Sequence, residues 1–111
     1  MIIQNFILLA AGRGSRIAKL TANIPKSLLP IAGIPVLKHI IDNLMKIKNK
    51  EIVVVTGYRH LDVNSYLVNK YGNKIKIVFN EAYEKDTNIL SVDLGVDALL
   101  NPESGYIIIE T

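Results

Sequence analysis

The stretch "LLAAGRGSRIAKLTANIPKSLLPIAG", Leu8 to Gly33, decides how this chain is read. It begins inside an apolar run, "FILLAA" (Phe6–Ala11), that no polar residue interrupts. A strand covered on both faces needs such a run, because side chains pointing either way meet a hydrophobic layer. Gly12 and Gly14 end it, Arg16 follows, and Pro25-Lys26 comes further on. Two readings of the glycines stand side by side. They can form a tight turn flanked by solvated basic residues, the commoner fate of an isolated Gly-x-Gly. They can also let backbone N–H groups converge on an anion, with Arg16 gripping phosphate oxygens and Lys26 adding a mobile charge.

Residues 15–33 read as irregular, punctuated by Pro25, Pro30 and Gly33. Pro35 then opens a helix, and Val36, Leu37, Ile40, Ile41, Leu44 and Ile47 form one apolar stripe at helical spacing. Lys46, Lys48 and Lys50 read as the solvated end of that helix, where positive charge complements the dipole. "EIVVVTGY" (Glu51–Tyr58) is a second buried strand, ending at Gly57. Residues 60–71 form a second helix, and "KIKIVFN" (Lys74–Asn80) is a third strand. A polar loop, "EAYEKDTN", leads to a helix over "ILSVDLGVDALL", with Asn88 as its N-cap and Gly95 as a weak point. After a turn at Pro102–Gly105, "YIIIE" is the fourth strand.

Strands alternating with helices predict an α/β fold: a mainly parallel sheet between helical layers, joined by right-handed crossovers. Ligands of such sheets bind at the carboxyl ends of the strands. Those ends are Ala10–Arg16, Thr56–His60, Asn80–Asn88 and the residues around Glu110. A central strand is an unusual final element, so residues 1–111 are expected to be the N-terminal portion of a larger domain.

Composition narrows the classes. Half of the 111 residues are hydrophobic and 21% are charged, enough for a core and unlike a disordered chain. No cysteine is present, which excludes a disulfide scaffold and a thiolate zinc site. "MIIQNFILLAAG" is too short and too polar for a membrane span and has no basic leader, so a cytoplasmic location is expected. The net charge of +3 is uneven: residues 1–50 hold eight Lys or Arg against Asp42 alone. That bias favours an anionic partner. His39 and His60 read as structural or solvated residues rather than catalytic ones.

The glycine loop does not fit the two common phosphate motifs. A dinucleotide fingerprint needs a third glycine where Ile17 stands, and an acid after the second strand where Thr56-Gly57 stand. A P-loop needs Gly-Lys-Ser/Thr, which is also missing. The whole string, however, resembles the opening motif of nucleotidyltransferases that activate sugar phosphates and related phosphate monoesters. Their pattern is roughly L-A-A-G-x-G-[ST]-R, a Thr, then P-K-x-L-x-x-[IV]-x-G-x-P. Leu9, Ala10, Ala11, Gly12, Gly14, Ser15, Arg16, Thr21, Pro25, Lys26, Leu28, Gly33 and Pro35 match it, with Ile31-Ala32 as the one small departure. The loop "FNEAYEKDTNILSV" is similar to the N-x-x-Y…N-N-x-x-S pattern of bacterial CTP:phosphocholine cytidylyltransferases: Asn80, Tyr83, Asn88 and Ser91 match, and Thr87 replaces one Asn.

The resemblance implies a Rossmann-like three-layer sandwich, present here as an incomplete nucleotide-binding portion. It implies nucleotidyl transfer from an NTP, CTP favoured, to a phosphate monoester such as phosphocholine, with pyrophosphate released and Mg²⁺ as cofactor. Sugar-1-phosphate transfer and a non-catalytic nucleotide-binding module are the alternatives. It implies that Arg16 and Lys26 are catalytic, holding the β/γ-phosphates and bridging the α-phosphate to the acceptor. Leu9, Ala10, Ala11, Gly12, Gly14, Ser15, Gly57, Tyr58, Asn88 and Ser91 would line the nucleotide site. Tyr58 reads equally as a packing aromatic. The metal aspartate is expected one position beyond Thr111, with Glu110 adjacent, so the 111 residues alone are expected not to turn over. The implied partners are a nucleoside triphosphate and a small phosphorylated acceptor, not a nucleic acid or a membrane. The open edge of the fourth strand leaves room for pairing with another copy.

Overall fold

The structure, a computed structural model, describes residues 3–12, 24–85 and 88–111. Strand β1 (Gln4–Ala10) runs through its centre, and every residue after Gln4 is buried. The chain continues through a 3₁₀ turn (Lys26–Leu28), β2 (Pro30–Ile31), β3 (Ile34–Pro35), α1 (Val36–Leu44), β4 (Lys50–Thr56) and α2 (His60–Tyr71). After the 3₁₀ turn Gly72–Lys74 come β5 (Lys76–Phe79), α3 (Ile89–Ala98), the 3₁₀ turn Pro102–Ser104 and β6 (Ile107–Glu110).

Four strands form one parallel sheet in the order β5-β4-β1-β6. Register is set by unbroken apolar pairing: Phe6 lies opposite Ile52 and Ile107, and Leu8 opposite Val54 and Ile109. Alternate residues of β1 serve different layers. Phe6, Leu8 and Ala10 pack with Leu37 and Ile41 of α1 and Val63 and Leu67 of α2. Ile7 and Leu9 pack on the other face with Val92 and Val96 of α3. The expected α/β sandwich is therefore present. The chain steps outward through β4 to β5, then returns past β1 to β6. In sheets with such a reversal, ligands bind outside the carboxyl ends of the strands at the point where the order turns, here beside β1.

Four local expectations are corrected. The segment before α1 is not wholly irregular: β2 and β3 pair as a small hairpin. Ala32 (φ 53°) and Gly33 (φ 80°) both take positive φ, as a two-residue hairpin turn of this hand requires. Pro35 stands at the N-cap of α1 rather than inside it. Helix α1 ends at Leu44, so Lys46 and Lys48 lie in the following turns and Lys50 opens β4. Ile47 still packs against the core, because the tightened turn, with Ile47 N–H bonded to Leu44 C=O at 3.0 Å, keeps it facing inward. The apolar spacing thus outlasts the helix.

Gly95 is the fourth correction. A Cβ there would sit 2.5 Å from Ile7 Cγ2, inside van der Waals contact. Its small size lets α3 lie directly on β1, so the residue is a packing requirement rather than a flaw in the helix.

Candidate functional site at the carboxyl ends of the strands

Three strand ends meet at Gly57. A Cβ on Gly57 would lie 2.5 Å from Tyr83 Cβ and 2.8 Å from both Ala11 Cβ and Ala11 O. Only glycine allows the ends of β1 and β4 and the loop after β5 to close together. Tyr58 N–H donates to Ala11 C=O at 3.0 Å, which fixes the exit of β1 against the exit of β4. The Tyr58 and Tyr83 rings meet edge to face at 6.4 Å. Gly12 differs. Its φ is not in the left-handed region, and nothing among the described residues lies within 4 Å of the place its Cβ would take. One glycine serves internal packing; the other meets nothing among the described residues.

The loop after β5 hangs on Asn80. This residue is fully buried, and its Nδ2 donates to Ser91 Oγ at 2.9 Å. Its Oδ1 accepts from Ala82 N–H at 2.9 Å, and its own N–H donates to Thr56 C=O at 2.8 Å. Ser91 is 1% exposed. Its hydroxyl accepts this bond from Asn80 and so helps hold the loop carrying Tyr83.

Asn88 also departs from expectation. It occupies the N-cap of α3, but with φ 78° and no capping hydrogen bond from its side chain. Its Nδ2 instead donates to Glu110 Oε1 at 3.0 Å, joining the start of α3 to the end of β6. The next residue, Thr111, ties back to β1, its N–H and hydroxyl both donating to Leu9 C=O at 3.2 and 2.9 Å.

The structure therefore brings Ala11, Gly12, Gly57 and Tyr58 together, and beside them Asn80 with Ser91 and Asn88 with Glu110. Leu9, Ala10 and Ala11 are buried, so they shape the site through backbone and packing. Lys26 is exposed at the start of its 3₁₀ turn, which α1 anchors through Val36 N–H to Leu29 C=O at 3.0 Å. Gly14, Ser15, Arg16 and Thr21 lie outside the described residues. His39 Nε2 bonds to Ile31 O at 2.8 Å, while His60 borders the junction, its N–H donating to Gly57 C=O at 2.9 Å and its ring stacking on Phe79 at 3.9 Å.

A cluster of titratable groups joins α1 to α2. The Lys38 ammonium, and then the Tyr71 hydroxyl, hold the Asp42 carboxyl below its usual value. Burial, followed by Asp42, pushes Tyr71 up. These groups tie α1 to the end of α2. A hollow of about 220 Å³ bordered by Asn5, Glu51 and Leu100 lies at the opposite, amino end of the strands.

Sequence reasoning did not anticipate the Gly57–Tyr83 closure or the Asn88–Glu110 contact. Each joins residues more than twenty positions apart, and no local pattern encodes that. The Mg²⁺ implied by the resemblance finds little to hold it in the described residues. Glu110 offers one carboxylate whose Oε1 is already engaged, and no three His, Asp or Glu side chains gather there. The described residues do not form that site alone.

This strand order is that of a doubly wound parallel α/β sheet, a class whose ligands bind where the order reverses, here beside β1. The chain belongs to the nucleotidyl transferase family, whose family model matches residues 5–109. It is 40% identical to a choline-phosphate cytidylyltransferase of Haemophilus influenzae over 94 residues, 85% of this chain and 39% of that protein. A 2-aminoethylphosphonate cytidylyltransferase of Lancefieldella rimae is 36% identical over 86% of this chain and 38% of its own length. The solved CTP:phosphocholine cytidylyltransferase of Streptococcus pneumoniae matches with a TM-score of 0.81 and 31% identity, over 99% of this chain and 45% of that one. The chain thus spans less than half the length of these relatives. No described helix is long and apolar enough to cross a membrane.

Proposed function

We propose that the chain carries the nucleotide-binding part of a cytidylyltransferase. It would pass the cytidylyl group of CTP to a phosphate monoester or phosphonate such as phosphocholine and release pyrophosphate. The observation that carries this reading is the junction at Gly57, which joins the exit of β4 to Ala11, the residue before Gly12. The likeness to cytidylyltransferases of both phosphocholine and an aminophosphonate supports the choice of base and acceptor.

An acceptor phosphate oxygen attacks the α-phosphorus, a new P–O bond forms, and the bond to the β-phosphate oxygen breaks. A phosphate monoester acceptor is already largely dianionic near neutrality, with a second pKa of about 6, so it needs no protein base. The protein's task is then alignment and neutralisation of charge. In this proposal the backbone around Gly12 approaches the phosphates, Arg16 receives the charge growing on pyrophosphate, and Lys26 spans the α-phosphate and the acceptor. Asn80 and Ser91 hold the Tyr83 loop that faces the acceptor side.

Thermal stabilisation by CTP, UTP, dTTP and GTP tests the base, because a ligand of the native state alone raises apparent stability. CTP is expected to protect most. Protection by UTP or dTTP alone overturns the cytidylyl reading in favour of a sugar-1-phosphate acceptor. Pyrophosphate release from CTP with phosphocholine or 2-aminoethylphosphonate, by a protein that also carries the expected metal aspartate, then tests the acceptor.

A further inference from the structure

We infer that Asn88 is a positioning residue acting through Glu110: its amide aims the Glu110 carboxylate across the strand ends beside β1 and does not itself grip the nucleotide. The inference rests on the nucleotide-site reading above and replaces direct contact at Asn88 with an indirect role.

Three observations carry it. First, Asn is among the best N-cap residues, and a capping Asn takes extended backbone while its side chain accepts from the first turn. Asn88 does neither. It sits at φ 78°, ψ −14°, and its side chain caps nothing. Asn takes this left-handed conformation more readily than most non-glycine residues, so the residue fits its backbone while its side chain is left to bond elsewhere. Second, the side chain surrendered by the helix is used elsewhere. Its Nδ2 reaches Glu110 Oε1 at 3.0 Å, from the start of α3 to the end of β6. An amide to carboxylate bond is charge-assisted and fixes one oxygen of the acid. Third, the other end of this link is held firmly. Thr111 makes two hydrogen bonds to Leu9 C=O, so the backbone at Glu110 is held against the carboxyl end of β1, where it pairs with Leu9. The link closes a loop through α3, β6 and β1 at the strand ends where the order reverses. A carboxylate there accepts from ligand donors such as ribose hydroxyls, and an amide on one of its oxygens determines where the other points.

Asn88→Gly separates this role from a structural one, because glycine keeps the left-handed backbone and removes only the amide. Affinity for CTP in Mg²⁺ buffer is read by calorimetry, and folding by thermal melting, for wild type, Asn88→Gly, Glu110→Ala and the double variant. Asn88→Gly is expected to weaken CTP binding about five-fold, the worth of one net hydrogen bond, with its melting temperature near that of wild type. In the Glu110→Ala background the same change is expected to leave affinity within about two-fold, because the partner through which Asn88 acts is gone. An equal loss in both backgrounds means that Asn88 touches the nucleotide and overturns the inference. Unchanged affinity in Asn88→Gly also overturns it. Failure of the wild-type protein to bind CTP in the same experiment overturns the nucleotide reading beneath it.

Discussion

Replacing Gly57 with alanine is expected to open the strand-end junction, and the size of the effect follows from three distances. The added methyl would meet Tyr83 Cβ at 2.5 Å and Ala11 Cβ and O at 2.8 Å, where ordinary contact begins near 3.4 Å. None of these atoms is the tip of a flexible side chain. Relief requires the backbone of β1 and the Tyr83 loop to retreat by roughly 1 Å, and overpacking of this kind costs about 1–3 kcal/mol. Ala11 O is also the acceptor for Tyr58 N–H at 3.0 Å, so moving it weakens a hydrogen bond worth about 1 kcal/mol. A total near 2–4 kcal/mol lowers the melting temperature by roughly 10–25 °C for a domain of about this size. Gly12→Ala is the control. With no clash among the described residues and no left-handed backbone, it should melt within about 4 °C of wild type. It should nevertheless lose at least about ten-fold in CTP affinity, since the methyl fills the space where a phosphate would approach. Circular dichroism melts and calorimetry with CTP measure both. A Gly57→Ala protein melting within about 3 °C of wild type would refute the reasoning, because the junction would then yield at no cost.

Gly95→Ala should destabilise by about 1–2 kcal/mol: the clash with fully buried Ile7 outweighs a helix-propensity gain near 1 kcal/mol. A urea titration showing a stabilised variant would mean that α3 can lift off β1. Asn80→Ala should cost about 2–3 kcal/mol in the same assay, because Ser91 Oγ and Ala82 N–H each lose a buried partner. Lys38 first, then Tyr71, depresses the Asp42 pKa. The stability this confers is present above the unfolded-state value near 4 and disappears as pH falls through the lower folded-state value. Asp42→Asn should therefore lose less stability than wild type on acidification below about pH 5, as followed by urea midpoints, with a small amplitude because the carboxylate is exposed.

Much of the fold was legible because the sheet is parallel and buried. "FILLAA" and "IVVV" have no polar face to hide, so composition over a few residues marks them as central strands. Helix α2 begins and ends where the spacing placed it, with Gly72 at its close. The β2–β3 hairpin was not legible. Two residues per strand are too short for any period to register, and the turn depends on positive φ at Ala32, a residue that does not advertise it. The site divides in the same way. Gly12, Lys26, Gly57 and Tyr58 stand in or beside linear motifs and were named from them.

Linear order determined which residue types face the strand ends, since a βαβ chain must deliver every strand's carboxyl end, and the loop after it, to one side of the sheet. Contacts between those loops were decided only in three dimensions. Gly57 is defined by Tyr83 and Ala11, Gly95 by Ile7, Ser91 by Asn80 and Asn88 by Glu110. Each pair is remote along the chain, so its distance depends on how helices seat on the sheet and carries no local periodicity. Asn88 shows the difference most plainly: its type and position describe a helix cap, and packing turned its side chain away from the helix to the end of β6.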